Sequence, residues 1–166
     1  VIAGNHDKWR GGMRTIRAVA EACDASIGVL APDDIRLELL SPSGATVRIH
    51  ARHDHSGHSQ WNPAHALKRT AAFGDWPADI LCAFHRHTAV SHQEEFGGRM
   101  QTYLRARWFK RFDSYARERG LVEQEHGTSI TTIVDPGARP ADRVRVRWDI
   151  EEAAEELTWL RKRRAA

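Results

Sequence analysis

Three short polar clusters carry residue types that bind metals and move protons: Gly4-Asn5-His6-Asp7, Arg52-His53-Asp54 and His85-Arg86-His87. Amide oxygen and imidazole nitrogen suit borderline cations such as Mn²⁺, Fe or Zn²⁺. A thiolate site is not indicated, because Cys23 and Cys82 form no Cys-x-x-Cys pair. Histidine is in local excess: the chain has 10, eight of them between His50 and His92. A polar, titratable segment would account for the number but not for the order. His85 and His87, at i and i+2, would leave opposite faces of a straight strand. At a strand end, where the backbone turns, both can face one centre or two adjacent ones.

Each cluster follows a segment that reads as a strand. Val1-Ile2-Ala3 has the character of a strand end, and Gly4 permits the turn after it. Ile35, Leu37 and Leu39 alternate with Arg36 and Glu38, Ser41-Pro42-Ser43-Gly44 signals a tight turn, and Thr46-Val47-Arg48-Ile49 returns, so a hairpin is expected. His50 falls inside its second strand and His53 where that strand should end. Ile80 to Phe84 is a continuous apolar run, expected of a strand buried on both faces. In open α/β sheets, ligands bind beyond the carboxyl ends of strands, so three clusters at such ends could converge.

The remaining elements supply the scaffold. Met13 to Ala22 has helical periodicity, and Ile27-Gly28-Val29-Leu30 reads as a short buried strand. Residues 52–62 form a loop, followed by a helix from Pro63 to about Phe73 with the proline in its first turn. Strands are expected over Met100–Phe109, Ser129–Val134 and around Val144–Trp148. An amphipathic helix from Ile150 to Arg164 is anchored by Leu157 and Leu160, with an acidic first turn and a basic last one that suit the helix dipole.

Composition narrows the classes. At 166 residues, 41% apolar and 28% charged, the chain has the make-up of one globular α/β domain rather than a disordered segment. No stretch approaches the ~20 apolar residues of a membrane-spanning helix, and the start lacks the basic and apolar regions of a signal peptide. Two cysteines are too few for a disulfide framework, which makes a reducing cytoplasm the simplest compartment. The net charge of +3 permits an anionic substrate without demonstrating one.

The ordered blocks Gly4-Asn5-His6-Asp7, a strand-end His53 and His85-x-His87 resemble the last three motifs of the calcineurin-like metallophosphoesterases. That family's pattern runs Asp-x-His, Gly-Asp-x-x-Asp, Gly-Asn-His-Asp/Glu, a lone His, and Gly-His-x-His. The resemblance spans roughly residues 1–90, and Phe84 stands where the family usually has glycine. The first two blocks are absent, so the motif order predicts the C-terminal portion of a longer enzyme. Residues 1–149 would then be the later part of a metallophosphoesterase-type αββα sandwich, with 150–166 a C-terminal amphipathic helix with a basic tail.

The resemblance implies two divalent metal ions (Mn, Fe, Zn or Ni) that activate a water to hydrolyse a phosphomonoester or phosphodiester. Asn5, His53 and His85 would bind one metal and His87 the other. His6, supported by Asp7, would contact the phosphate as general acid or transition-state stabiliser. His50, His55 and His58 are the competing choices for the lone His. His58, Trp61 and Asn62, in the loop beyond it, are candidates to touch substrate, with loop packing as the competing explanation; His65 and His92 are read as structural.

Further on, Arg99, Arg105, Arg107, Lys110, Arg111, Arg117 and Arg119 are interleaved with aromatics. Such a mixture can serve a nucleic-acid surface, although a solvated strand face accounts for it at least as well. It tilts the expected substrate toward a nucleic acid or nucleotide. The alternative, from a different class, is a non-catalytic protein of the same fold that binds nucleic acid or a protein partner.

Overall fold

The computed structural model describes residues 2, 12–22, 33–86, 88–107, 114–120 and 129–165. Helix α1 (Gly12–Ala22) follows the predicted periodicity. Strands β1 (Asp34–Leu40) and β2 (Thr46–Arg52) form the expected antiparallel hairpin, with Leu40 opposite Thr46. Its turn closes through Gly44 N–H to the Ser41 carbonyl at 2.9 Å and Ala45 N–H to Ser41 Oγ at 3.1 Å. Gly44 takes a φ of 82°, which explains the glycine there.

Helix α2 (His65–Phe73) connects β2 to the parallel strand β3 (Ile80–Ala83). It begins after Pro63 rather than on it; Ala64 is its N-cap, and the Asn62 side chain accepts from Ala64 N–H at 3.0 Å. Strands β4 (Val90–Phe96) and β5 (Arg99–Arg105) form a second hairpin. β4 is a departure from the sequence reading, which left Val90–Phe96 without an element. Val90-Ser91-His92-Gln93-Glu94-Glu95 lacks apolar alternation, and its residues are mostly exposed at a sheet edge. The legible signal was the turn: Gly97 and Gly98 both take positive φ, 59° and 74°, as a two-residue hairpin turn demands. β5 stops at Arg105, short of the strand expected to Phe109; residues 108–110 lie outside those described, as does the expected strand at 27–30.

The sheet order is β1-β2-β3-β5-β4, with β2, β3 and β5 parallel and both edge strands antiparallel. Alternation along β3 and β5 divides the core between two faces. On one, Leu81, Ala83 and Tyr103 pack with Ala64 and Leu67 of α2. On the other, Ile80 and Leu104 join Val47 and Val144. Val144 belongs to a separate hairpin of β6 (Thr131–Val134) and β7 (Val144–Arg147). Burial of five consecutive residues from Gln101 to Arg105 shows that both faces of β5 are covered.

A short helix α3 (Ser114–Glu118), also unanticipated, precedes this hairpin. Helix α4 (Ile150–Ala165) packs on the hairpin through buried Ala153 and half-buried Leu157 and Leu160. Asp149 caps it, accepting from Glu151 N–H at 2.8 Å, and Glu156 receives Arg145 at 3.2 Å and Arg147 at 2.9 Å. The layers are therefore α2, the five-stranded sheet, the β6–β7 hairpin and α4. The protein is an α/β protein. Among the described residues no helix is long and apolar enough to cross a membrane.

Candidate functional site

Parallel pairing of β2 with β3 puts their carboxyl ends side by side, Arg52 opposite Ala83. The chain leaves both strands at the same level, and the backbone locks the two exits together. The His53 carbonyl accepts from Phe84 N–H at 3.1 Å and from His85 N–H at 2.8 Å. The His53 and His85 rings consequently meet, with centroids 4.8 Å apart and planes at 68°. His85 Nδ1 and His53 Nε2 stand 2.9 Å apart. Two ring nitrogens at that distance share one proton, or both turn lone pairs toward a third body. Phe84, in place of the expected glycine, is accommodated by pointing its side chain partly into solvent.

The spacing suits a metal. Two nitrogens each about 2.1 Å from a cation and at a right angle to one another are about 3.0 Å apart. A tetrahedral angle would open that to about 3.4 Å, so the pair fits adjacent corners of an octahedron better. Among the described residues no group of three or more His, Cys, Asp or Glu side chains is placed to hold a metal ion. The other sequence-derived candidates, Asn5, His6, Asp7 and His87, lie outside the described residues.

The neighbouring histidines are committed elsewhere. His55 is 1% exposed; its Nε2 donates to the Cys82 carbonyl at 3.0 Å and its Nδ1 meets Thr70 Oγ1 at 3.0 Å. Burial pulls its pKa down to about 4, so the ring is neutral near pH 7. His50 is buried inside β2, its Nε2 2.9 Å from Asp34 Oδ1 without the alignment of a hydrogen bond. Burial lowers its pKa too, against the opposing pull of Asp34. His58 pairs through Nε2 with Asp54 Oδ2 at 3.1 Å, and Asn62 serves the turn into α2. Both thus have structural work in the loop, the competing explanation for them.

His65 holds the Gly57 carbonyl through Nδ1 at 2.5 Å, and His92 lies parallel to Tyr103 and within 3.1 Å of Glu94. Both thus have the local contacts that a structural role requires. Burial pushes the Cys82 thiol up to about 12, which keeps it protonated.

Arg105 also stands at this carboxyl edge, a position the sequence reading did not single out. It appeared only as one of several basic residues, yet it ends β5 at the same carboxyl edge, opposite Ala83. It is 4% exposed and its Nε has no hydrogen-bond partner. Burial lowers its pKa, Asp54 opposes that, and Arg86 adds to it. The signal was positional: the last residue of a strand parallel to the two that carry His53 and His85. Lys110 and Arg111 lie outside the described residues; among those described, Arg99, Arg107 and Arg119 have separate partners. Arg99 pairs with Asp79 at 3.2 Å at the opposite end of β5, Arg107 stacks on Trp148 and Arg119 on Tyr115.

No family model matches this chain. No curated protein and no solved structure matches it either. The functional argument therefore stands on the residues and their geometry.

Proposed function

We propose that the chain is part of a metal-dependent phosphoesterase whose centre lies beyond the carboxyl ends of β2, β3 and β5. The observation that carries this is the meeting of His53 and His85, 2.9 Å apart, from two motifs separated by 32 residues. Together with Gly4-Asn5-His6-Asp7 and His87, they match the order of the metallophosphoesterase blocks. The layer order of helix, sheet, hairpin and helix supports the finer assignment of an αββα sandwich.

In this reading Asn5, His53 and His85 hold one divalent cation and His87 a second. Such a pair of cations lowers the pKa of bound water and neutralises phosphate charge. The protein's own groups do the rest. The shared backbone acceptor at the His53 carbonyl holds the two strand exits together before any ligand arrives. Arg105, desolvated and with an unused N–H, is suited to a phosphate oxygen, where a guanidinium binds strongly and with direction. His6, supported by Asp7, would contact the phosphate as general acid or transition-state stabiliser.

The test is hydrolysis of bis(p-nitrophenyl) phosphate by the full-length protein with Mn²⁺, Fe²⁺, Zn²⁺ or Ni²⁺, alongside calorimetric titration of each metal. Metal-dependent turnover lost in His85→Ala is expected. Failure to bind any of the four would remove the proposal. A non-catalytic protein of the same fold is the second reading, favoured by one fact: only two donors meet among the described residues.

A further inference from the structure

Helix α2 covers β3 and β5 but leaves the same face of β1 and β2 beside its C-terminal half open. The result is a groove of about 300 Å³, at the lower end of the range for ligand sites. Arg36 of β1, His50 and Arg52 of β2, and Arg69 of α2 line it, together with Phe73 and Trp76. Arg36 is answered by Asp75, at 2.9 Å, and by Asp34, at 3.7 Å, which also faces His50. Two acids against three guanidiniums leave the groove with an excess of positive charge, carried by Arg52 and Arg69.

Two features mark it as built rather than incidental. Arg52 Nε and His50 Nδ1 are buried without hydrogen-bond partners, while His50 Nε2 faces Asp34 Oδ1 at 2.9 Å. Buried polar groups in native proteins are normally satisfied, so these two nitrogens call for a ligand atom or water. Arg69, for its part, is laid across Gly57. Gly57 has a φ of 91°, and a Cβ there would come within 2.6 Å of Arg69 Cδ. The glycine thus admits the stem of the arginine that forms the groove's wall.

The rim is aromatic. Phe73 is 84% exposed at the end of α2, an apolar ring held in water with no core to fill. Trp76 stands edge-on to His50, ring centroids 6.0 Å apart. Cations that track phosphates, interleaved with rings on which bases stack, are what sequence-tolerant single-strand binding needs. The groove also leads to the candidate centre, because Arg52 directly precedes His53 and Ser56, in the loop beyond, is part of its wall.

We propose that this groove binds the sugar–phosphate backbone of a single-stranded nucleic acid, its arginines on the phosphates and Phe73 under a base. That it delivers the strand for hydrolysis rests on the phosphoesterase reading; the binding itself does not.

The experiment is fluorescence anisotropy of a labelled oligothymidylate of about 12 nucleotides, titrated with the full chain in EDTA. Saturable binding without divalent metal is expected. Arg69→Glu should weaken it at least tenfold and Phe73→Ala about fivefold or more, with Arg69→Lys restoring most of the affinity. The Arg69→Ala variant should flatten the salt dependence by about 0.7 in log–log slope, one single-strand phosphate contact. Arg139→Glu, on the exposed turn between β6 and β7, should leave the Kd unchanged. The groove variants are surface changes, and their melting curves check that they fold.

Equal affinity for thymidine monophosphate and the oligonucleotide would make the groove a small-anion site and overturn the proposal. So would binding indifferent to Arg69→Glu and Phe73→Ala. Loss of metal binding or hydrolysis with oligonucleotide binding intact would remove the phosphoesterase reading and leave the groove.

Discussion

Two pairs of histidines come together around the end of β2 and have opposite fates. His50 and His55 lie 5.3 Å apart, ring edge to ring face, under α2. His53 and His85 lie 4.8 Å apart at the open end of the sheet. The separations are similar, but the nitrogens are not equally available. His55 spends both on fixed partners, the Cys82 carbonyl and the Thr70 hydroxyl, and its burial keeps it neutral. His53 and His85 turn nitrogens toward each other, where a cation can replace the shared proton. The lesson is that an imidazole becomes a candidate ligand by what its lone pairs are left facing, and two residues along one chain segment decide that.

Substitution should separate the two pairs, and His55→Ala should have the largest effect. It removes a buried ring and two hydrogen bonds, at about 4 kcal/mol. In a chain of this size that lowers the melting temperature by roughly 8–16 °C. Metal affinity of the folded fraction should be unchanged; a large loss would bring His55 into the site and dissolve the comparison.

The next effect is on pH dependence. His55 has a folded pKa of about 4 against 6.5 in the unfolded chain. The unfolded state therefore binds more protons in between. This contribution to stability is complete above about pH 6.5, falls as pH drops, and levels off near pH 4, on the order of 3 kcal/mol in all. His50, also lowered, acts in the same direction. Urea unfolding of the wild type and His55→Gln between pH 4 and 7 measures it; an identical slope in both would assign the effect elsewhere.

His53→Ala and His85→Ala should each weaken Mn²⁺ binding about 100-fold by calorimetry while shifting the melting temperature by no more than about 3 °C. Arg105→Lys keeps the charge but loses the fork. It should raise KM for a phosphodiester about tenfold with Mn²⁺ affinity intact. Thr70→Val should have the smallest effect, about 1 kcal/mol, by leaving His55 Nδ1 without its partner. Metal binding should not respond.

Much of this was legible in the sequence. The β1–β2 hairpin, the doubly buried β3 and the anchoring of α4 by Leu157 and Leu160 followed from local pattern and turn chemistry. β4 did not, because an edge strand has little burial to imprint on its side chains; only Gly97-Gly98 marked it. His53 was separable from His50 and His55 by its position at a strand end, although nothing local showed where those two would find their partners. Arg105 was hidden within a basic run because burial, the property that sets it apart from Arg99 or Arg107, arises from the elements packed above it.

By itself, then, the sequence determined the β1–β2 hairpin and the buried β3, and hence that His53 and His85 stand just beyond carboxyl ends of strands. Alternation and turns act over a few residues and need no distant partner. Only the tertiary structure decided which residues share a centre. The contact between His53 and His85 requires β2 and β3 to lie parallel and adjacent, and the open groove requires α2 to cover one half of the sheet face and not the other. Both are consequences of long-range packing, in which burying Leu67, Leu81 and Tyr103 fixes the position of polar groups that contribute nothing to that burial.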